Sequence, residues 1–277
     1  ASAAPIAVDA ACSSAVGSVT GLSPATRYVY AVTLAGVPEA AHVLHTAPTA
    51  ETPADLLRFA FFADAWAGTE NHSVGSAAAL GVDGFFLIGD IGHDNPMANT
   101  STSAGALMKA RAMHRQYRDA SSPFGASFEA AFVTPPDSGH LLARQSDDHD
   151  WKWDNCNAKG AWWPEAKQAF QEYHPVPADH GFPVGAWQLT RYGRVAFLLP
   201  DLRSQRTVPG LPTCAKCTIL GPTQKAWLAD RLAILKADPT VDWIVFISTV
   251  PFNPRVHKAD GWDGYALDRQ WFLAQLA

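Results

Sequence analysis

Short apolar runs that do not alternate recur along most of the chain, at 59–63, 85–88, 195–199 and 243–247, each rich in Phe, Val, Ile and Leu. A strand covered on both faces has no polar side to show, so it reads as an unbroken run rather than with a period of two. Between these runs, helical stretches fall at roughly 103–119, 164–173 and 222–236. The third opens on Gly221-Pro222-Thr223-Gln224, where Pro suits a first helical turn. Its Trp227, Leu228, Leu232 and Leu235 share one face, which is predicted to enter the core. Strands alternating with helices predict an α/β domain. Two of the runs lead into an acid, Phe59–Ala63 into Asp64 and Phe85–Gly89 into Asp90. Open α/β sheets place ligands in the crevice beyond the carboxyl ends of their strands, so both carboxylates are predicted to face one crevice.

The first fifty residues read differently. Tyr28–Leu34 alternates and is rich in β-formers, and His42–His45 is a second short strand. Thr46–Pro53 is a stiff Pro/Thr/Ala-rich linker, which sets a boundary between a β module at 1–50 and an α/β domain at 51–277. Gly21-Leu-Ser-Pro-Ala-Thr-Arg-Tyr28 resembles the Leu-x-Pro-x-Thr-x-Tyr signature of fibronectin type III domains. That resemblance covers only the last strands of such a sandwich, so the module is partial. Gly/Pro-rich tracts at 175–187 and 207–213 read as loops that line or cover something.

With 277 residues, 48% of them hydrophobic, the chain can bury one large core and a smaller one. A net charge of −5 without a Lys/Arg run argues against a nucleic-acid patch of the usual basic kind. No apolar stretch approaches the ~18 residues of a membrane span. Neither a Met start nor a signal peptide is present, which points to a mature or processed form. The cysteines are Cys12, Cys156, Cys214 and Cys217. Cys214-Ala-Lys-Cys217 has zinc or redox spacing, but with no second such pair a small-loop disulfide or one arm of a longer bridge is the main reading. Cys156 is expected in a disulfide too. Asn71-His-Ser73 and Asn99-Thr-Ser101 are N-glycosylation sequons. Together these features favour an extracellular or periplasmic location.

Chemistry concentrates in Ser146-Asp147-Asp148-His149-Asp150-Trp151. Alone it would read as a solvated acidic turn, and Asp64 and Asp90 alone as helix caps. Several carboxylates converging in one crevice cannot all stay ionised without cations between them, so their combination reads as a metal site. Asp64, Gly89-Asp90 and Asp148-His149 together resemble the spaced Asp, Gly-Asp and Asn-His blocks of calcineurin-like metallophosphoesterases. The finer resemblance is to the PhoD-like (alkaline phosphatase D) family, in which an Asp-Asp-His-Asp/Glu block stands in for Asn-His, as in Asp147–Asp150. Asp201-Leu-Arg203-Ser-Gln-Arg206, Leu220-Gly-Pro-Thr-Gln224-Lys-Ala-Trp227-Leu228 and Asp260-Gly-Trp262-Asp-Gly-Tyr265-Ala-Leu-Asp-Arg269 match further motifs of that family in order.

The resemblance implies an α/β/β/α sandwich and hydrolysis of phosphate monoesters or diesters by a metal-activated hydroxide at a binuclear carboxylate/His site. It implies Asp90 as the bridging ligand, Asp64 on the first metal, Asp148 on the second, and His149 as a general acid or phosphoryl-holding group. Iron and calcium are the metals it implies. The substrate would be a small phosphoester, with a phospholipid headgroup or a cell-wall phosphodiester among the candidates. Arg203 and Arg206 would clamp its phosphate, or else pair with the acidic block. His93 stands where the family carries Tyr, a change that favours zinc, manganese or ferrous iron and adds His93 to the ligand candidates. The family's thiolate before the first strand exit is replaced by Phe62-Ala63. Ile247-Ser-Thr-Val-Pro251 stands where a late His ligand would fall, and no closing Gly-Asp/His-x-His block is found by Ala277, so the domain is expected to be incomplete at its C-terminus. The rival reading is a non-catalytic extracellular structural or binding protein that retains the fold. His72 and His114 are expected to be inert, His114 on the surface, and Trp262 and Tyr265 to pack.

Overall fold

The computed structural model describes residues 14–51, 56–66, 68, 72–91, 100–133, 140–151, 155–157, 160–176, 179–207, 216–253 and 260–277. Three strands, β5 (Phe59–Phe62), β6 (Gly84–Ile88) and β7 (His140–Gln145), form a parallel sheet with β6 at its centre. A second sheet runs in the order β11 (Trp243–Phe246), β10 (Val195–Leu199), β9 (Gln188–Tyr192), β8 (Asp179–His180), with β10 parallel to β11 and antiparallel to β9. Of the four runs expected to be strands buried on both faces, β6 and β10 are so, whereas β5 and β11 lie at sheet edges and leave Phe61 and Trp243 exposed; the side chains of the buried two show why they do not alternate. Along β6, Phe85 and Leu87 turn to the helices while Phe86 turns to the other sheet; along β10, Ala196 and Leu198 turn outward while Phe197 and Leu199 turn inward. Both faces bury apolar surface, so neither position in the period of two is free to be polar.

The layers follow from this. Phe86 and Phe197, with ring centroids 4.6 Å apart, join Phe59, Tyr192, Leu199 and Ile247 in a seam between the sheets. Outside the parallel sheet lie α1 (His72–Ala79), α2 (Ser103–Gln116) and α3 (Pro123–Phe128), packing Val74, Met113 and Phe124 onto Phe62, Phe85 and Leu87. Outside the second sheet lie α6 (Gly221–Ala237) and α7 (Ala266–Leu276), which bring Leu228, Leu232, Leu235 and Phe272 onto Ala196 and Leu198. This is the expected α/β/β/α sandwich. Leu228, Leu232 and Leu235 are buried as their spacing predicts, with Trp227 half-buried beside them, its indole N–H donating to Asp179 at 2.9 Å.

Ahead of the sandwich, β1 (Arg27–Tyr30) pairs antiparallel with β4 (His42–His45), and a small hairpin of β2 (Thr33–Leu34) and β3 (Val37–Pro38) interrupts what the sequence reads as one strand. The Tyr28 hydroxyl accepts from the Ser23 backbone N–H at 2.7 Å, closing the turn that Leu22-Ser-Pro-Ala begins. No helix among the described residues is long and apolar enough to cross a membrane.

The inter-sheet seam gives a stability test. Phe86 and Phe197 are fully buried, so Phe197→Ala is expected to lose about 3–5 kcal/mol, transfer and cavity terms together. Urea denaturation of the wild type and the variant measures it, and a loss below about 1 kcal/mol would mean that the sheets do not pack through this ring pair.

Candidate metal centre

The site is built where the parallel strands end. Gly89 leaves β6 at φ +100°, and a Cβ there would meet the Cβ of Asp147 at 2.6 Å, so only glycine lets the β6 exit approach the segment after β7. The next residue, Asp90, is left-handed at φ 51°, and Asp64 at the exit of β5 is left-handed at φ 52°. Both are strained positions that Asp tolerates better than most residues, and strain of this kind collects at functional sites. The backbone N–H of Ala65 donates to the Asp90 carbonyl at 2.8 Å, which ties the two exits together.

From the β7 side, Asp148–Trp151 forms a single helical turn, α4. A turn this short has little stability of its own. Trp151 holds it down: its ring is buried against Trp163 and Phe170, with centroids 4.3 and 5.6 Å away. Those partners belong to α5 (Trp163–Tyr173), which packs its alanines against Ala106 and Ala110 of α2. At the other end, the Asp150 carboxylate reaches back to accept from the Asp147 N–H at 2.9 Å, the third-position acid of a capping box. The Gln145 carboxamide donates to the Pro200 carbonyl, and that of Gln188 donates to the Arg144 carbonyl at 2.7 Å, so the two sheets are stitched at this end.

Asp90, Asp148 and His149 converge. Each offers a ligand atom, and these atoms lie within 4.8 Å of one another. The His149 N–H donates to Asp90 at 3.2 Å. The Asp148 carboxylate accepts from the Asn155 N–H, and Cys156 donates its thiol to the Asp148 carbonyl at 3.2 Å. Cys156 is therefore a buried thiol, and the disulfide expected for it is not formed: the sulfur lies under the α4 turn, within the cluster around Trp151. Asp64 is exposed at its strand end and is not one of the three that converge. His93 falls outside the described residues.

The electrostatics support a cation among these groups. Burial first, then the charges of Asp150, Asp147 and Asp148, raise the Asp90 carboxyl from 3.8 to about 9. Burial also pushes Asp147 up to about 7, even though the Arg203 guanidinium holds it with two hydrogen bonds. Carboxylate oxygen plus one imidazole is a donor set for hard or borderline cations, and a cation would relieve the crowding that now holds a proton on Asp90.

Arg203 and Arg206 lie against the acidic block. Arg203 grips Asp147, approaches Asp148 at 3.2 Å and donates to Asp260 at 2.9 Å; Arg206 donates to the same Asp260 at 2.6 Å and to the Asn155 carbonyl at 2.6 Å. Of the two uses foreseen for these arginines, pairing with carboxylates is the one seen. Arg144 is a residue of consequence that no motif in the sequence marks, and the sequence marks Asp150 and Asp201 only as members of their motifs, without a role. Asp201 accepts from the N–H groups of Ala186, Arg203 and Ser204, and its own backbone exchanges two hydrogen bonds with the Gln224 side chain. The Asp-x-Arg and Leu-Gly-x-x-Gln motifs are thus two halves of one lock that presents Arg203. His114, expected on the surface, is buried beside Tyr173, His174 and Arg144, because α5 covers that face of α2. Burial and Arg144 hold its pKa well below the usual range. Trp262 and Tyr265 pack as expected, donating to Ser248 at 3.1 Å and to the Thr207 carbonyl at 2.7 Å.

Comparison with known proteins agrees with this construction. A family model described as PhoD-like phosphatase matches residues 144–277, from the end of β7 through α7. That match spans a little under half of the chain. Among solved structures it is similar to one titled "Structure of PhoD", at 20% identity and a TM-score of 0.73, covering 97% of this chain and 57% of that one. It also resembles a purple acid phosphatase, PPD1, isolated from yellow lupin (Lupinus luteus) seeds, at 16% identity and a TM-score of 0.55, covering 85% of this chain and 38% of that one. At these identities the structures speak for the fold, and the chain spans little more than half the length of the PhoD structure. The comparison with curated sequences gives no match.

Two outcomes are expected of this centre. Asp90 titrates at about 9 in the fold against 3.8 unfolded, so the fold binds more protons between those values and metal-free stability falls as pH rises through them. Added Mn²⁺ should displace that proton and raise the melting temperature most at the alkaline end; melts that show no fall with pH and no metal effect would contradict the crowding. Gly89→Ala should lose of order 1–3 kcal/mol through its left-handed backbone alone, and Mn²⁺ titration should show weakened binding as well, because the new Cβ pushes Asp147 away.

Proposed function

We propose that the chain hydrolyses phosphate monoesters or diesters at a metal centre held by Asp90 and Asp148, with Asp64 and His93 as further ligands. One observation carries the reading: Asp90, Asp148 and His149 converge at the carboxyl ends of parallel strands, in a chain that matches PhoD-like phosphatases. When bound, the cations supply positive charge to the phosphoryl group and lower the pKa of water. The residues do the rest. Asp90 and Asp148 place carboxylate oxygens on the two sides of the shared crevice. His149, on the first turn of α4, is within reach of the same space and holds or delivers a proton at the leaving oxygen. Arg203 fixes Asp147 and the outer side of Asp148, so that the ligand segment does not shift when negative charge arrives. Arg206, through Asp260, borders that region and is the second candidate for phosphate contact.

Iron with calcium is the metal content carried forward from the family resemblance, with zinc or manganese favoured by His93. Secretion to the periplasm or outside, glycosylation at the two sequons and a disulfide through Cys214 or Cys217 are parts of the same proposal. So is the division into a β module at 1–50 and a phosphoesterase domain at 51–277. The candidate substrates are small phosphoesters, including phospholipid headgroups and cell-wall phosphodiesters.

The test is turnover of 4-nitrophenyl phosphate and bis(4-nitrophenyl) phosphate by the purified chain, supplied in turn with Fe, Ca²⁺, Zn²⁺ and Mn²⁺. Metal-dependent hydrolysis that Asp90→Asn abolishes is expected. Metal bound at the site with no turnover of either ester would instead favour a non-catalytic protein that keeps the fold. A separate outcome concerns His149. As a general acid it contributes ~10²–10⁴ in rate, so His149→Gln should slow phenyl phosphate by more than 4-nitrophenyl phosphate, whose leaving group needs no proton. An equal loss on both esters would remove the proton-donor role.

A further inference from the structure

Asp150 does not face the crevice, yet more of the centre depends on it than on any other acid of the block. Its side chain is fully buried. One oxygen, Oδ2, accepts from the backbone N–H of Asp90 at 2.9 Å and from that of Asp147 at 2.9 Å. The other, Oδ1, accepts from Arg144 Nη2 at 2.6 Å. The two N–H groups belong to different chain segments, the β6 exit and the start of α4, sixty and three residues away. A single carboxylate oxygen therefore sets how closely Asp90 approaches Asp148 and His149. The β6 exit needs such a tether, because Gly89 and Asp90 both sit in left-handed backbone beyond the last residue of the strand.

Arg144 is fitted to a supporting task. It leaves β7 just before the acidic block, is buried, and stacks its guanidinium 5.5 Å over Phe170. Its second terminal nitrogen meets the ring nitrogens of His114 and His174, which donate and accept but bring no negative charge while neutral. Among the described residues Asp150 is the carboxylate that pairs with it, so the two charges are matched one to one in a low-dielectric interior, where a lone partner would be costly. Charge on Asp150 is thereby fixed and pointed at two N–H donors, the arrangement by which an acceptor outside the ligand set orients the ligands themselves.

We propose that Asp150 is a positioning residue: its carboxylate, braced by Arg144, holds the Asp90 and Asp147–His149 segments at ligand-forming separation. The proposal rests on the reading of Asp90 and Asp148 as metal ligands, and the experiment separates the two. Mn²⁺ affinity of the whole chain is measured by calorimetry well below the melting temperature, with Asp90→Asn as the control for the site. Asp150→Asn should weaken Mn²⁺ binding about 10–100-fold, lower kcat on 4-nitrophenyl phosphate in step, and broaden the Mn²⁺ electron paramagnetic resonance signal of whatever metal remains. Asp268→Asn is the structural comparison, since Asp268 is also buried and accepts from two backbone N–H groups, those of Ile219 and Leu220 at 2.9 and 3.1 Å, neither of them in a ligand segment. It should lower the melting temperature and leave Mn²⁺ affinity alone.

If Asp150→Asn behaves like Asp268→Asn, with melting lowered and metal affinity kept, the positioning role is overturned. If Asp150→Asn does not fold, the paired change Arg144→Met with Asp150→Leu removes both charges at once, a replacement that buried ion pairs tolerate. A folded double variant with weakened Mn²⁺ binding supports the proposal, whereas unchanged binding, or failure of both variants to fold, assigns Asp150 to stability alone. If the wild-type chain binds no Mn²⁺ that Asp90→Asn removes, the metal reading itself fails and the proposal falls with it.

Discussion

Crowded negative charge is the constraint around which this end of the molecule is organised. Asp90, Asp147, Asp148 and Asp150 meet within two short segments, and the buried arginines Arg144 and Arg203 answer only part of their charge. Arg144 is taken by Asp150, while Arg203 is shared among Asp147, Asp148 and Asp260, which leaves Asp90 as the acid of the four with no arginine in contact among the described residues. Burial first, and then the neighbouring carboxylates, push the Asp90 carboxyl upward. Four adjacent acids thus divide their labour. Two are bound into the frame, and two are left facing a space that a cation suits.

The frame that brings them together is made by ordinary packing. Aromatic rings between the sheets set the height of β6 and β10, and the strand ends then fall where the turns require glycine and left-handed aspartate. The family motifs acquire physical content here. Gln224 locks Asp201, Asp201 shapes the turn that carries Arg203, and Arg203 holds Asp147. Residues spread over the length of the domain act as one chain of hydrogen bonds ending at the crevice, so the ordered motifs are recognisable together and ambiguous singly.

Much of this was legible beforehand. Unbroken runs at 85–88 and 195–199 identified strands buried on both faces, and the acids at strand exits marked the crevice. Leu228, Leu232 and Leu235 showed the inner face of α6 by spacing alone. What stayed hidden was partnership. Nothing in Asp147–Asp150 distinguishes the acid that caps its own turn from the one that faces outward, because that depends on which segment lies opposite. Likewise, the arginine spacing of Arg203 and Arg206 fits a phosphate clamp as well as it fits the aspartates they hold. His114 looked like a surface residue because its neighbours Arg111, Arg115 and Arg118 are charged. Yet Arg111 pairs with Glu172 and Arg118 donates to the Tyr173 carbonyl, so α5 covers a helix face that composition reads as polar.

The one-turn helix α4 carries a further consequence. It has no length with which to sustain itself, and besides the hydrogen bonds of Asp150 it is held by one indole sunk between α2 and α5. Loosening those two helices would free Trp151 and the acidic turn in one event. Order at the chemical centre is therefore coupled to a helical layer on the outside of the sandwich, and an emission shift from a buried tryptophan would register it.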